Sequence, residues 1–400
     1  MQRIRRLVQL SALALVLSAV FVFRGNAEAW CPFGGVEALY TFWIEGSMVC
    51  SLGVSNFYIL GGVLVSVLLL KRAFCGWLCP IGSLSEWIHA AARRLGVRPV
   101  RVLAMLDRVL ALLKYVVLGM ILWFTWRAGE LVFRGYDPCY ALIGRHGEDI
   151  TVWAYVVSGA IVVGSLLLLT PFCRWFCPLA AVLNPFSKLA LARVKRESTT
   201  CVDCGKCAKL CPAAIPVDRM SQVTESRCVS CLTCMDVCPV NGKSPASTGA
   251  LRWGPPDAVA SQWPRWSVPA LLLLSVTGAV VAVRAAPMPS FVKSLGVPPA
   301  ETARVELRLS NLTCRGTANL LVGFLSRDDL YAIARGEGAY FKLEAWPGPG
   351  WAKAVVTYDP AVADAAAVRR AICEPYFDAG TDRWWHSPFE VEGYDPLAIE

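Results

Sequence analysis

The sequence predicts an α-helical membrane protein of about five transmembrane helices, with a small cysteine-rich module and a C-terminal α+β domain. Three observations predict it. The 400-residue chain is 56% hydrophobic and 17% charged, with a mean hydropathy of +0.48, too apolar for an ordinary soluble protein. Five apolar stretches are long enough, or nearly so, to cross a bilayer. After about residue 301 the pattern changes to short alternating strands and amphipathic helices.

The five stretches are Leu7–Phe23, Val54–Leu70, Val109–Trp126, Val152–Thr170 and Trp266–Val283. The first has a basic start and an apolar core, followed by Asn26-Ala27-Glu28-Ala29, so residues 1–29 read as a retained helix or a signal anchor. Lys and Arg near the helix ends set orientation. Arg3, Arg5 and Arg6 lie on one side with Lys71, Arg72, Arg93, Arg94, Arg98, Arg101 and Arg108, and with Arg174, Lys188, Arg193, Lys195 and Arg196. The intervening loops carry only Arg24, then Arg127, Arg134 and Arg145. The expectation is a multi-pass protein of the cytoplasmic (inner) membrane with a cytoplasmic N-terminus. The formal net charge of +9 follows from this asymmetry, and no nucleic-acid recognition motif accompanies it.

Residues 198–245 hold two cysteine runs. Cys201, Cys204, Cys207 and Cys211-Pro212 form C-x-x-C-x-x-C-x-x-x-C-P, and Cys228, Cys231, Cys234 and Cys238-Pro239 repeat it. Four soft thiolates at this spacing suit a [4Fe–4S] cluster, and in two-cluster arrangements the fourth Cys of each run ligates the other cluster. The expected sets are Cys201, Cys204, Cys207 and Cys238, then Cys228, Cys231, Cys234 and Cys211. Zinc sites use one or two C-x-x-C pairs, not two identical runs of four. The module resembles a bacterial two-cluster ferredoxin. Its thiolates belong in the reducing cytoplasm, which agrees with the charge asymmetry.

Residues 30–197 contain a duplication. Phe74-Cys75-Gly76-Trp77-Leu78-Cys79-Pro80 matches Phe172-Cys173-Arg174-Trp175-Phe176-Cys177-Pro178, and the upstream stretches align without a gap. Duplicated membrane halves pack about a pseudo-two-fold axis with the site at their interface. Cys75, Cys79, Cys173 and Cys177 could together hold a further iron–sulfur cluster or act as redox thiols; packing as small hydrophobes is the plainer reading. Cys31, Cys50 and Cys139 fall in the outer loops, where their pairing is open; Cys139 opens the second repeat's outer segment as Cys31 opens the first, so these two could meet across the pseudo-two-fold or each pack structurally.

These motifs, with Trp30-Cys31-Pro32-Phe33-Gly34-Gly35 before them, resemble the NapH/NosR/CcoG group of membrane polyferredoxins from about Cys31 to Pro239. The resemblance implies a cytoplasmic ferredoxin module exchanging electrons with membrane or periplasmic redox partners. The sequence departs from better-known members in two ways: no flavin-binding domain precedes the first helix, and there is no C-x-x-C-H haem motif. Only His89, His146 and His386 are present, and none is a catalytic candidate; His89 reads as a polar-face residue.

Residues 246–300 read as a linker and the fifth helix, and 301–400 as an extracytoplasmic domain. Arg304–Ser310, Ala339–Trp346 and Lys353–Asp359 alternate as strands; Thr317–Arg335 and Ala361–Ile372 read as helices. The order suggests a ferredoxin-like βαββαβ sandwich, similar to heavy-metal-associated domains. Asn311-Leu312-Thr313-Cys314-Arg315-Gly316-Thr317 stands where those domains carry a C-x-x-C metal loop. Thr317 replaces the second Cys and is a poor soft-metal ligand. Cys373 could approach Cys314 as a disulfide, a two-thiolate site or neither.

The function expected is electron relay between a cytoplasmic partner and quinone or an extracytoplasmic acceptor. The alternatives are a copper reductase or metal-handling enzyme, and a redox sensor or assembly factor.

Overall fold

The computed structural model describes all residues except 24–30, 46–51, 99, 101, 129–134, 144–150, 244–248, 256–261, 328–339, 349, 379–381 and 395–400. Asn26–Ala29, Cys50 and His146 lie outside the described residues, as does the end of the helix expected to run to Arg335. The chain forms two compact units, Met1–Gly34 with Tyr58–Ala282, and Gly35–Phe57 with Val283–Glu400.

In the first unit, α1 (Gln2–Leu17) continues through a π turn to Val22. It is followed by α2 (Pro32–Glu45), which ends beyond this unit, and α3 (Leu52–Leu70). Each half of the duplication then shows the same local construction. In the first, short α4 (Ala73–Trp77) precedes α5 (Pro80–Arg94), and Cys79 is the N-cap at φ −65°, ψ 119°. Between the halves lie α6 (Ala104–Leu110), α7 (Leu113–Ala128), α8 (Pro138–Ile143) and α9 (Val152–Leu167). In the second, α10 (Pro171–Trp175) precedes α11 (Pro178–Lys188), with Cys177 the N-cap at φ −63°, ψ 115°. Proline after each N-cap Cys sits at the first helical position, where its missing N–H costs nothing.

Three helices among the described residues are long and apolar enough to cross a membrane: Gln2–Val22, Met105–Arg127 and Ser267–Ala285. Val54–Leu70 and Val152–Leu167 are apolar but shorter. Within this unit α3 and α15 (Ser267–Ala285) approach closely at Gly62. A Cβ there would lie 2.7 Å from both Ala279 Cβ and Ser275 O. Gly62→Leu should cost about 1–3 kcal/mol through overpacking. Its unfolding midpoint in detergent should fall, with partial recovery in Gly62→Leu/Ala279→Gly; an unchanged midpoint would refute the contact.

The cysteine-rich module is bracketed by β1 (Arg193–Arg196), which pairs antiparallel with β2 (Leu251–Gly254). Inside lie α12 (Lys206–Lys209), α13 (Thr233–Asp236) and α14 (Pro239–Lys243). One buried apolar cluster joins the module to the helices: Leu70, Ala73 and Trp77 pack with Ile215, Leu232 and Trp253. Removing this apolar area from water fixes the module against the helix ends.

In the second unit, β3 (Phe291–Leu295), β4 (Ala303–Leu309), β5 (Phe341–Trp346) and β6 (Ala352–Tyr358) form an antiparallel sheet in the order β3-β5-β6-β4. The buried positions alternate along the strands, as in a sheet with one covered face. α16 (Arg315–Leu325) and α17 (Ala365–Cys373) share its core. The strand β3 falls within 246–300, read from sequence as linker and helix. That reading is corrected: Phe291 is buried and pairs with Ala345. After α17 comes a hairpin of β7 (Tyr376–Asp378) and β8 (Arg383–Trp385). The chain then meets the free edge of β4 through the bridge Leu309–Val391.

Candidate functional site

The two runs of the octet share one backbone path. Asp203 and Ser230, two residues after the first Cys of each run, have φ of 47° and 46°. Gly205 and Leu232, two residues further, have φ of 66° and 55°. Left-handed conformations at non-glycine residues are disfavoured and persist only where surroundings impose them. Their recurrence at matched positions turns each loop the same way, and a short helix starts at the next residue in both.

Cys211, Cys228, Cys231 and Cys234 line a single cavity with Ile215 and Leu232. Cys211 therefore stands with the second run, as the exchange of fourth ligands requires. Burial pushes its thiol up to about 12, and the charges of Cys231 and Cys228 add to this. Cys234 is raised by burial and by Cys231, Cys228, Cys211 and Cys207, so the two sets adjoin. In the first run, Cys207 is raised by burial first and also feels Cys201; Cys204 is exposed. Cys238 packs on the same apolar cluster as Cys207 and Cys234. Among the described residues no three His, Cys, Asp or Glu side chains could hold one metal ion. Thiols ringing a cavity, all soft donors, fit a polynuclear cluster better than mononuclear zinc.

The second run is hydrogen-bonded into the first C-x-x-x-C-P segment. The Arg72 N–H donates to Cys228 O (3.2 Å), Trp77 Nε1 donates to Ser230 O (3.1 Å), and Ser230 Oγ donates to Leu70 O (2.5 Å). Lys71 Nζ donates to Ser187 O, Thr224 O and Glu225 O at 3.3–3.4 Å. Burial lowers its pKa, and the Cys228 charge opposes that shift. Asp107 ties the second C-x-x-x-C-P segment to the octet. It accepts from Arg174 Nη2 (2.5 Å), Trp175 Nε1 (2.8 Å) and Arg227 Nη1 (2.5 Å).

The structure brings the two C-x-x-x-C-P pairs together. Cys173 lies within electrostatic reach of Cys177, Cys79 and Cys75, and Cys177 within reach of Cys75 and Cys79. Burial pushes the thiols of Cys79 and Cys177 up to about 12. Backbone N–H groups of Gly82 and Ile81 donate to the first sulfur and that of Ala180 to the second. Such thiols stay protonated at neutral pH, so metal loading must displace protons.

Cys139 is not remote from these pairs, as its outer-loop position in sequence implied. Its helix α8 packs against α5, and Cys139 lies within electrostatic reach of Cys79, Cys31 and Cys177. His89 is likewise not on a polar face: it is buried, with Nδ1 3.2 Å from Ser165 O. Sequence reasoning missed Asp107, which stands beside Arg108 in an otherwise apolar stretch. It also passed over Arg72 as an orientation charge; its place three residues before Cys75 was the available signal.

In the second unit, Cys314 and Cys373 form no disulfide with each other. Cys314 is the exposed N-cap of α16, and the Cys373 thiol faces the Val391 backbone. Thr317, at the absent second cysteine, closes a capping box. Its Oγ1 accepts from Cys314 N (3.1 Å), and its backbone N–H donates to Cys314 Sγ. That N–H, with Gly316 and the Thr317 and Thr313 side chains, lowers the Cys314 pKa. The thiolate therefore persists to lower pH than in an ordinary cysteine. Iodoacetamide labelling of Cys314 should show a midpoint below the usual thiol range, shifted upward in Thr317→Val; identical midpoints would contradict the cap.

Two family profiles match the chain: a 4Fe-4S binding domain over residues 52–98 and a 4Fe-4S dicluster domain over residues 172–254. The first contains Cys75 and Cys79; the second contains Cys173, Cys177 and the octet. YccM of Escherichia coli (strain K12), which carries an electron transport name, is 33% identical over 56% of this chain and 64% of its own length. The ferredoxin-type protein NapH of Haemophilus influenzae is 28% identical over 58% of this chain and 85% of its own. The regulatory protein NosR of Pseudomonas aeruginosa is 30% identical over 42% of this chain and 25% of its own. The chain thus spans less than two thirds of YccM and a quarter of NosR. No solved structure matches it. The profiles and the octet are those of a [4Fe–4S]-binding protein. The chain is similar to NapH/NosR-type polyferredoxins.

Proposed function

We propose that the chain is a membrane-embedded electron relay. The cytoplasmic octet holds two [4Fe–4S] clusters, and the paired C-x-x-x-C-P cysteines hold a third iron–sulfur cluster. Quinone or an extracytoplasmic partner is the acceptor. The observation that carries the reading is the direct bonding of Cys228 and Ser230 to Arg72, Trp77 and Leu70. These bonds tie the second run to the segment that carries Cys75.

Five spans are supported by where helix ends meet the module. At the start of α1, Gln2 Nε2 donates to Cys231 O (3.0 Å). The end of α3, at Leu70, accepts from Ser230. Asp107, before α7, binds Arg227. The end of α9 leads to Thr170, whose Oγ1 donates to Pro212 O (3.4 Å). The start of α15, at Ser267, meets Trp253 Nε1 (3.4 Å). Start, end, start, end, start on one side is the alternation of five crossings. With the Lys/Arg bias it supports a cytoplasmic octet and an extracytoplasmic second unit.

Bound clusters supply single-electron redox chemistry. The chain's own residues place the ligands, exclude water and set the charge. Arg72 and Lys71 are buried cations beside the thiols and favour the anionic, ligated state. A cavity lined by Arg5, Glu86, Trp87, His89, Pro212 and Thr233 borders both runs and is the candidate place for a quinone headgroup.

The second unit is read as a ferredoxin-like sandwich, its last strand shortened to the Val391 bridge and β3 added at the far edge. One observation favours the copper-reductase alternative: Cys314 is exposed with a lowered pKa. Anaerobic protein reduced with dithionite discriminates the readings. Re-oxidation by a quinone analogue, unaffected by Cys314→Ser, is expected. Re-oxidation by Cu(II) alone, lost in Cys314→Ser, would transfer the assignment to metal reduction, and none by either acceptor would sink both.

A further inference from the structure

We propose that Cys31 and Cys139 are ligands of the same iron–sulfur site as Cys75, Cys79, Cys173 and Cys177, each half of the duplication giving three thiolates. The inference rests on the reading of the C-x-x-x-C-P pairs as a cluster site and extends it to two cysteines that neither family profile covers.

Placement is the first argument. Cys139 sits in the first turn of α8, between α5 and α9, both of which α8 packs against. The Cys139 N–H donates to Asp137 Oδ1 (2.9 Å), which fixes that turn. Cys79 is the N-cap of α5. Cys139 lies within electrostatic reach of Asp137, then of Cys79, Cys31 and Cys177. Cys173 stands in that relation to Cys75, Cys79 and Cys177. The six thiols are therefore continuous, with Cys79 and Cys177 common to both groups.

The second argument is repetition. Each half offers a cysteine beside a proline at a helix start, upstream of its C-x-x-x-C-P: Cys31-Pro32 before α2 and Pro138-Cys139 in α8. Cys79 and Cys177 precede Pro80 and Pro178 in the same manner. The helices opening at Pro32, Pro80 and Pro178 bring positive dipole ends next to Cys31, Cys79 and Cys177.

The third argument is an unanswered charge. Arg72 is 3% exposed, and its Nε and Nη1 have no hydrogen-bond partner. Its Nη2 is spent on Arg227 O (3.0 Å). Its positive charge reaches Cys75, Cys173 and Cys177. A buried guanidinium with two of its nitrogens unpartnered is costly unless an anion completes it. A thiolate-ligated cluster is anionic and would do so. Six thiols with no histidine or carboxylate ligand among them are a soft donor set, which suits iron–sulfur chemistry. Ligation replaces each S–H by an S–Fe bond and releases a proton, with no change in sulfur oxidation state.

The test uses the full chain purified without oxygen. Iron, acid-labile sulfide and the dithionite-reduced EPR spectrum are compared for wild type, Cys31→Ala, Cys139→Ala and Cys75→Ala. Wild-type iron should exceed the roughly eight atoms that the octet accounts for. Each variant should fall toward about eight while keeping the octet's signals, which serve as the folding control. Iron and line shape unchanged in Cys31→Ala and Cys139→Ala, but reduced in Cys75→Ala, would overturn the inference alone. Wild-type iron of about eight, indifferent to Cys75→Ala, would overturn the underlying reading as well. Should a variant lose the octet signals too, maleimide labelling of wild type decides. Cys31 and Cys139 should be protected until the clusters are stripped; labelling of the intact protein would overturn the assignment.

Discussion

Replacing Cys234 with serine should remove one cubane, about four irons per chain, and loosen the module from the helix ends. Cys234 lines the cavity with Cys211, Cys228 and Cys231, and the Leu232 beside it belongs to the buried cluster with Trp77 and Leu70. Ser230 and Leu232 hold left-handed conformations that cost on the order of 1–3 kcal/mol each and need an imposed geometry. Without the cluster that geometry loses its main constraint, and the bonds from Arg72 and Trp77 to this loop should fail with it. The exposed Cys204 should be milder: Cys204→Ser should lower iron without raising trypsin sensitivity at Arg227. Equal proteolysis of the two variants would contradict this account of docking.

Asp107→Ala should destabilise the chain by about 3–5 kcal/mol, the cost of leaving buried charge unpaired. The side chains of Asp107, Arg174 and Arg227 are 7%, 10% and 13% exposed. With the carboxylate gone, two guanidiniums face one another and Trp175 Nε1 loses its acceptor. The segments they belong to carry Cys173 and Cys228, so cluster content should drop with stability. In Asp107→Leu/Arg174→Met/Arg227→Met the buried charges are removed together, and much of the loss should be recovered. Chemical denaturation in detergent with parallel iron assay reads both effects. A single variant as stable as wild type would show that the triad does not hold the two motifs.

The octet was legible because ligand spacing is a local property of the chain. The exchange of Cys211 to the second run is a reading from spacing; Cys211 lines one cavity with Cys228, Cys231 and Cys234. The C-x-x-x-C-P repeat was equally legible, since identical flanks give identical backbone: Cys79 and Cys177 differ by only a few degrees in φ and ψ. Other features depend on tertiary packing and leave no local trace. Hydropathy puts Cys139 in a loop between apolar stretches, and nothing in its neighbours shows that α8 folds against α5. Asp107 reads as one half of an Asp107-Arg108 pair in an apolar stretch until Arg174 and Arg227 arrive from 67 and 120 residues away. His89 was misread because Ser165, which its ring meets, lies 76 residues distant. In the second unit, alternation marked the strands, but β3 is short and sits just after the fifth helix. The capping role of Thr317 explains why the second cysteine of a metal loop can be absent without disturbing α16.

The central claim is that electrons leave the octet through the thiols of the duplicated unit. Stopped-flow re-oxidation of dithionite-reduced protein by a quinone analogue, in wild type and Cys173→Ser, tests it most directly. The account predicts that Cys173→Ser keeps both octet EPR signals and slows re-oxidation at least tenfold. An unchanged rate with the octet intact would show that electrons take another route, and would contradict it.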